Sequence, residues 1–294
     1  MLKWKVALVL FIGIIAVSSA AVFVRLAIAA VGIKSVGFSL FLAASRLIGA
    51  AILLTPVWQQ VRRERIASQA YYYAAAAGLC LAFHFASWIT SLSFTSIAAS
   101  TTLVTTNPVW VALISWWWLK EKPTNLTLLG IAIALTGSIV IAVGDRAVDP
   151  VSAPNILLGN CLALIGAVMA SCYFLFGTQA QKEGLSIISY IAIAYTTAAI
   201  ILLPLPFVFG ASYSGYPQLV YFYVVLMAIV PQLIGHTSFN WAVKYISPTL
   251  VSLTILFEPI GASWLGFFLF QEIPSRSVFF GGFILLVGVA IAVI

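Results

Sequence analysis

Charge is what this sequence has least of. Only 7% of its 294 residues are Asp, Glu, Lys or Arg, against about 25% in soluble globular proteins. With 14 basic and 7 acidic side chains, the chain cannot coat a water-soluble globule of this length. Cysteine is almost as scarce. Cys80, Cys161 and Cys172 are an odd set inside apolar runs, which argues against a disulfide framework or a thiolate metal site. They read as small buried packing residues. Histidine occurs twice, at His84 and His236. With Glu258 these are the only catalytic groups at depth, too few for paired carboxylates, a metal cluster or an activated nucleophile. The chain is therefore read as a non-enzyme, with no cofactor and no metal. A phosphate-cradling glycine loop ending in Lys-Ser/Thr is also missing, so ATP-driven pumping by this chain is set aside.

What is abundant is apolar surface, at 63% of residues, with 20 Phe, 11 Tyr and 9 Trp. A transmembrane helix needs about 20 mostly apolar residues to cross roughly 30 Å of hydrocarbon. Ten runs qualify, near 6–28, 36–57, 71–93, 97–119, 125–144, 155–179, 186–209, 217–242, 248–270 and 276–294. They are continuous and too long for barrel strands. An all-α polytopic membrane protein with ten transmembrane helices is expected, with no soluble domain in its short loops.

Basic residues sort by side. Lys3, Lys5, Arg62, Arg63, Arg65, Lys120, Lys122, Lys182 and Lys244 fall on the side of the N-terminus. Lys34, Arg146 and Arg276 fall on the other, with Arg25 near a helix end. The positive-inside rule then places both termini in the cytoplasm. The net charge of +7 is a topology signal and not a nucleic-acid footprint.

The chain also repeats itself at an offset of 151 residues. Pro108 pairs with Pro259, Glu121 with Glu272, Pro123 with Pro274, Gly130 with Gly281, Gly137 with Gly288 and Ser96 with Ser247. Two units follow, residues 1–150 and 151–294. Lys3 and Lys5 before an apolar stretch ending at Ser18-Ser19-Ala20 imitate a signal peptide. However, Ala16, Val17 and Phe23 match Ala167, Val168 and Phe174, so the first helix is expected to stay as structure. Five helices per unit is an odd number, so the second copy crosses the membrane inverted. Such pairing is the architecture of many secondary transporters, with a site at the midplane between the repeats.

Asn107-Pro108-Val109-Trp110, Leu119-Lys120-Glu121-Lys122-Pro123, Gly130 and Gly137 form one set of motifs. Glu258-Pro259-Ile260, Phe270-Gln271-Glu272-Ile273-Pro274, Gly281 and Gly288 form the second. Together with Arg46 before a small-apolar run, this pattern resembles the EamA type of the drug/metabolite transporter superfamily. Within it, the whole looks most like the YddG-type amino-acid exporters. The resemblance implies a ten-helix basket in the bacterial inner (plasma) membrane, working as a monomer or homodimer. It further implies export of small metabolites by alternating access through a central cavity. Amino acids with aromatic or hydrophobic side chains lead the substrate classes, and hydrophobic drugs or organic cations follow.

Candidate site residues are the polar and aromatic groups that the runs carry at depth, where such groups face a cavity or one another. Gln232, His236 and Asn240 recur at i, i+4 and i+8 on one helical face, as a substrate wall or as interhelical glue. His84 and Trp88 share a face of the third helix. Thr105 and Asn107 stand beside Pro108, where hydroxyls either line a pore or bond back to the helix. Tyr173 is a mid-span aromatic suited to an apolar substrate. Glu258 is the only acid deep in a run, a candidate for proton coupling or for a structural or substrate-orienting role. Pro108 and Pro259 are expected hinges. Arg46, buried deep in the second run, needs an anionic partner or water, as a structural anchor or as a substrate-anchoring charge.

Overall fold

The computed structural model describes residues 2–64, 66–120, 122–144, 155–242, 245–246, 251, 254–255 and 257–292. Arg65, Glu121, Arg146, Lys244 and Ser247, used above for topology or for the repeat, lie outside the described residues. Among the described residues all regular structure is helical. In hydrocarbon every backbone N–H and C=O must find a partner within the chain, and a continuous helix supplies one for each.

The first half carries α1 (Leu2–Val31), α2 (Val36–Leu53), α3 (Trp58–Arg63), α4 (Ser68–Ser91), α5 (Ile97–Val104), α6 (Asn107–Leu119) and α7 (Asn125–Gly144). The second carries α8 (Ile156–Lys182), α9 (Ile187–Leu202), α10 (Leu205–Val208), α11 (Gln218–Met227), a π-helix (Ala228–His236), α12 (Thr237–Ala242), α13 (Glu258–Phe270) and α14 (Arg276–Ala292). Among the described residues seven stretches are long and apolar enough to cross a membrane, the last being Gln218–Ala242. Asn125–Ile141 and Arg276–Ile291 are shorter apolar helices.

Polar residues punctuate the spans. Ser35, Ser96, Asn155 and Ser186 each turn a side-chain oxygen onto the backbone N–H three residues ahead, capping α2, α5, α8 and α9. Such caps satisfy N–H groups that a helix start leaves without partners. The stretch 97–119 is not one helix. It breaks at Thr105–Thr106 because Pro108 has no N–H to offer and its ring clashes with the preceding turn. The threonines repair the break: Thr105 Oγ1 donates to the Thr101 carbonyl at 3.0 Å and Thr106 Oγ1 to that of Leu103 at 2.8 Å. Helices α6 and α13 correspond closely. Each has 13 residues, a proline at its second position, and a left-handed residue after its end, Lys120 (φ 61°) and Gln271 (φ 56°).

The halves interdigitate. Helix α4 packs along α8 and α9, while α1 packs along α11, the π-helix and α13. Helices α7 and α14 run against each other through glycine: a methyl on Gly137 would lie 2.6 Å from the Gly281 carbonyl oxygen, and one on Gly288 2.7 Å from that of Gly130. Only residues without a side chain allow so close an approach.

The cysteines depart from the sequence expectation. Cys161 is exposed, and Cys80 and Cys172 are half-buried. The last two meet thiol to thiol across the α4–α8 seam. Their apolar runs gave no register, and it is helix rotation that turns Cys161 outward.

Candidate functional site

The breaks before Pro108 and Pro259 bring two helix starts to the middle of the molecule, and a pocket lies between them. It encloses about 550 Å³ of empty space when its open mouth is included. Asn107 and Glu258, the first residues of α6 and α13, both line it. Its walls come from both halves: Val17 and Ala20 of α1, Leu81, His84 and Trp88 of α4, then Ala170, Tyr173 and Phe174 of α8. His236 and Phe239 complete the circuit. Three lining pairs stand 151 positions apart, namely Trp88 and Phe239, Val104 and Ile255, and Asn107 and Glu258.

Of the residues singled out from sequence, His84, Trp88, Thr105, Asn107, Tyr173, His236 and Glu258 gather here. Gln232 and Asn240 do not border the pocket. Gln232 turns toward α2 and accepts a hydrogen bond from Arg46 Nε at 2.8 Å, while Asn240 donates to the Tyr173 hydroxyl at 2.9 Å. The shared face expected from α-helical spacing is disrupted because 228–236 is a π-helix. Its wider turn offsets residues four apart. The apolar lining residues Val17, Ala20, Leu81, Val104, Ala170, Phe174, Phe239 and Ile255 were not singled out from sequence. The constant offset from Trp88 was the one signal that would have found Phe239.

The polar groups on the wall differ in what they still offer. His84 Nδ1 donates to the Gly166 carbonyl at 2.9 Å, which fixes the tautomer and leaves Nε2 as an acceptor. Its ring lies parallel to that of Trp88, 6.1 Å between centroids, and 6.5 Å from that of His236. Trp88 is buried, yet its Nε1–H has no acceptor among the described residues. Asn107 is buried and its Oδ1 has no partner among them. The Thr105 hydroxyl is already committed to its own helix. No donor among the described residues pairs with the Glu258 carboxylate, although the Ser18 hydroxyl reaches its backbone carbonyl at 3.4 Å.

Arg46 is fully buried behind this wall. Its guanidinium sits 4.1 Å from the Phe85 ring centroid, a cation–π contact. Nη1 and Nη2 have no hydrogen-bond partner among the described residues. It feels the charge of Glu258 but does not form an ion pair with it among the described residues.

Two further acids tie the halves together at opposite ends of α4. At the start of α9, Glu64 accepts from the Ser186 and Ser189 hydroxyls, each at 2.7 Å, and from Gln60 Nε2 at 3.2 Å. Burial pushes the Glu64 carboxyl up, but these hydrogen bonds outweigh it and hold it below its ordinary value. At the start of α5, Glu272 accepts from the Ile97 N–H at 2.6 Å and pairs with Arg25 at 3.8 Å. Arg25 also donates to the Thr95 carbonyl, and the Thr95 hydroxyl donates to Asn160 at 2.8 Å. Nearby, burial first and then the Arg25 charge lower the Lys34 ammonium, with Glu272 opposing them.

Known proteins match this chain along its length. An "uncharacterized transporter" of Clostridium kluyveri is 24% identical over 249 residues, 82% of this chain and 79% of its own. Another, of Archaeoglobus fulgidus, is 24% identical over 208 residues, 70% and 71% of the two chains. A protein crystal structure superimposes with a TM-score of 0.63 at 19% identity, covering 98% of this chain and 96% of its own; that likeness concerns the fold alone. The sequence pattern of the EamA-like transporter family matches residues 4–143 and again residues 157–294. A membrane-embedded helical chain with a two-sided central pocket thus belongs to the EamA-like transporter family.

Proposed function

We propose that this protein is a secondary carrier of the YddG type that exports amino acids with aromatic or hydrophobic side chains. Ten transmembrane helices form two inverted five-helix repeats, residues 1–150 and 151–294, which open the pocket to each side in turn. The observation that carries this reading is the pocket itself, bordered by the broken helix starts at Asn107 and Glu258 and walled by both halves. Broken helices that meet near the bilayer midplane at a repeat interface are where secondary transporters hold substrate. The 151-residue offset between three pairs of wall residues supports the inverted arrangement. So does the antiparallel glycine contact of α7 with α14, in which Gly130 and Gly137 meet Gly288 and Gly281.

The carrier resides in the bacterial inner membrane with both termini cytoplasmic, supported by the asymmetry of its basic residues. Trp88, Tyr173, Phe174 and Phe239 supply apolar and aromatic walls for a hydrophobic side chain. Gln232 and Asn240 take part indirectly, by holding Arg46 and Tyr173 in place. Pro108 and Pro259 serve as hinges. Proton antiport through Glu258 belongs to the same proposal, because its carboxylate borders the pocket without a protein donor. Organic cations are the second reading, favoured by that same carboxylate among aromatic walls.

Purified protein in liposomes preloaded with L-phenylalanine should accumulate labelled L-phenylalanine by counterflow. Cells that overproduce it should tolerate toxic amino-acid analogues better than controls. Stable protein with no counterflow across a panel of amino acids and organic cations would sink the proposal.

A further inference from the structure

The two helix starts at the pocket are alike in backbone and unlike in charge. At equivalent positions one half presents the neutral amide of Asn107 and the other the carboxylate of Glu258. A helix start carries a partial positive charge. In α13 the carboxylate of Glu258 already answers it. In α6 nothing anionic does, and two buried polar side chains beside it stay unpartnered. Among the described residues these are Trp88, whose Nε1–H has no acceptor, and Asn107, whose Oδ1 has no donor, so that its amide is not tied to a neighbour. Trp88 has Phe239 as its counterpart 151 residues on, so the half that bears the carboxylate lacks the indole donor. Leaving a buried donor unmatched costs about 1–3 kcal/mol, so this side of the pocket favours a group that accepts.

We infer that the pocket reads its substrate as a zwitterion, with the ammonium on Glu258 and the carboxylate at the start of α6, where Asn107 Nδ2 and Trp88 Nε1 donate to it. This rests on the export reading above and specifies which atoms give it selectivity. An ammonium brings three donors and no acceptor, and a carboxylate the reverse. The acceptors on the wall are the Glu258 carboxylate and His84 Nε2, the Trp88 indole is a donor, and the Asn107 amide can supply either, its Nδ2 serving the carboxylate. Charged neighbours do not cancel the arrangement. Arg46 lies behind the wall against Phe85 and His236 stands beside His84, and neither forms an ion pair with Glu258 among the described residues.

The test uses three compounds with one body: L-phenylalanine, 2-phenylethylamine, which lacks the carboxylate, and 3-phenylpropionate, which lacks the ammonium. Binding to the full-length protein is read from ligand-induced thermal stabilisation and transport from counterflow. L-phenylalanine should bind at least about tenfold more tightly than either analogue, the factor carried by one charge-assisted hydrogen bond. Glu258→Gln should remove the advantage of L-phenylalanine over 3-phenylpropionate. Trp88→Phe and Asn107→Leu should each reduce its advantage over 2-phenylethylamine. Melting without ligand shows whether each variant is folded. The double variant Asn107→Glu with Glu258→Asn exchanges the poles and should regain binding that Glu258→Gln loses. Equal binding of the three compounds to the wild type, or unaltered L-phenylalanine counterflow in Glu258→Gln, overturns the inference and leaves the export reading standing. Failure of every neutral amino acid to bind or exchange overturns both.

Discussion

At one end of α4 a first-half carboxylate, Glu64, binds the serine hydroxyls at the start of a second-half helix, α9; at the other a second-half carboxylate, Glu272, accepts the first N–H of a first-half helix, α5. The roles are exchanged but the chemistry is not the same. Glu64 is held by two hydroxyls and an amide. Glu272 is held by a backbone N–H and by Arg25, whose guanidinium reaches on to Thr95. Both partners of the ion pair are only about one-fifth exposed, at 20% and 21%, so a charge left alone there is poorly hydrated. A hydroxyl left alone at the Glu64 end turns to water at little cost. Parting the chain at the Glu272 end therefore costs more than parting it at the Glu64 end.

The largest effect should come from preventing either end from opening. Copper phenanthroline should couple Cys80 to Cys172 and staple α4 to α8. Counterflow should then fall to background and return with a reductant, whereas Cys172→Ala should be insensitive. Full transport in crosslinked protein would show that this seam does not move.

Next, Glu272→Ala leaves Arg25 without its carboxylate and Ile97 without its acceptor. Stability should fall by about 1–3 kcal/mol, read from melting in detergent. In a cysteine-free background, a cysteine at Ala20 on the pocket wall should label faster with maleimide from the Glu272 face. Glu64→Ala removes a clamp whose partners are uncharged, at about 0.5–1.5 kcal/mol, and should speed labelling from the opposite face. Equal losses in the two variants would erase the asymmetry argued above.

The smallest effect concerns pH. Because the folded Glu64 carboxyl lies below its ordinary value, its contribution is fully present above the unfolded value of about 4.3. It is lost as pH falls through the folded value. The melting difference between wild type and Glu64→Gln should therefore be largest near neutrality and close below about pH 4. A difference that widens in acid would contradict the hydrogen-bonding pattern.

Much of the site was legible before any coordinates. Pro108 and Pro259 announced helix breaks because proline cannot continue a helical ladder, and the constant offset linked Asn107 to Glu258. His84, Trp88 and His236 stood out because polar and amphipathic groups are costly in hydrocarbon. Gln232 and Asn240 were placed by the α-helical period, and a π-helix at 228–236 broke the period they relied on. Pro231, inside that segment, was the one local sign that the α-helical period would fail there. The clamps were missed because Glu64 and Glu272 sit near helix ends, where acids are ordinary. Their partners lie 122 and 175 residues away.

By itself the sequence determined the solvent and the class of backbone. So little charge over so many apolar residues belongs in lipid, and lipid admits a continuous helix wherever the runs are long enough. It also marked the two points where helices must break. Only the tertiary structure decided what those breaks face, because a side chain's exposure depends on how each helix is rotated and on which helix lies beside it. The same alphabet of apolar residues permits many rotations. Close packing selects one of them, and with it a pocket that has a carboxylate on one wall and an unmatched indole donor on the other.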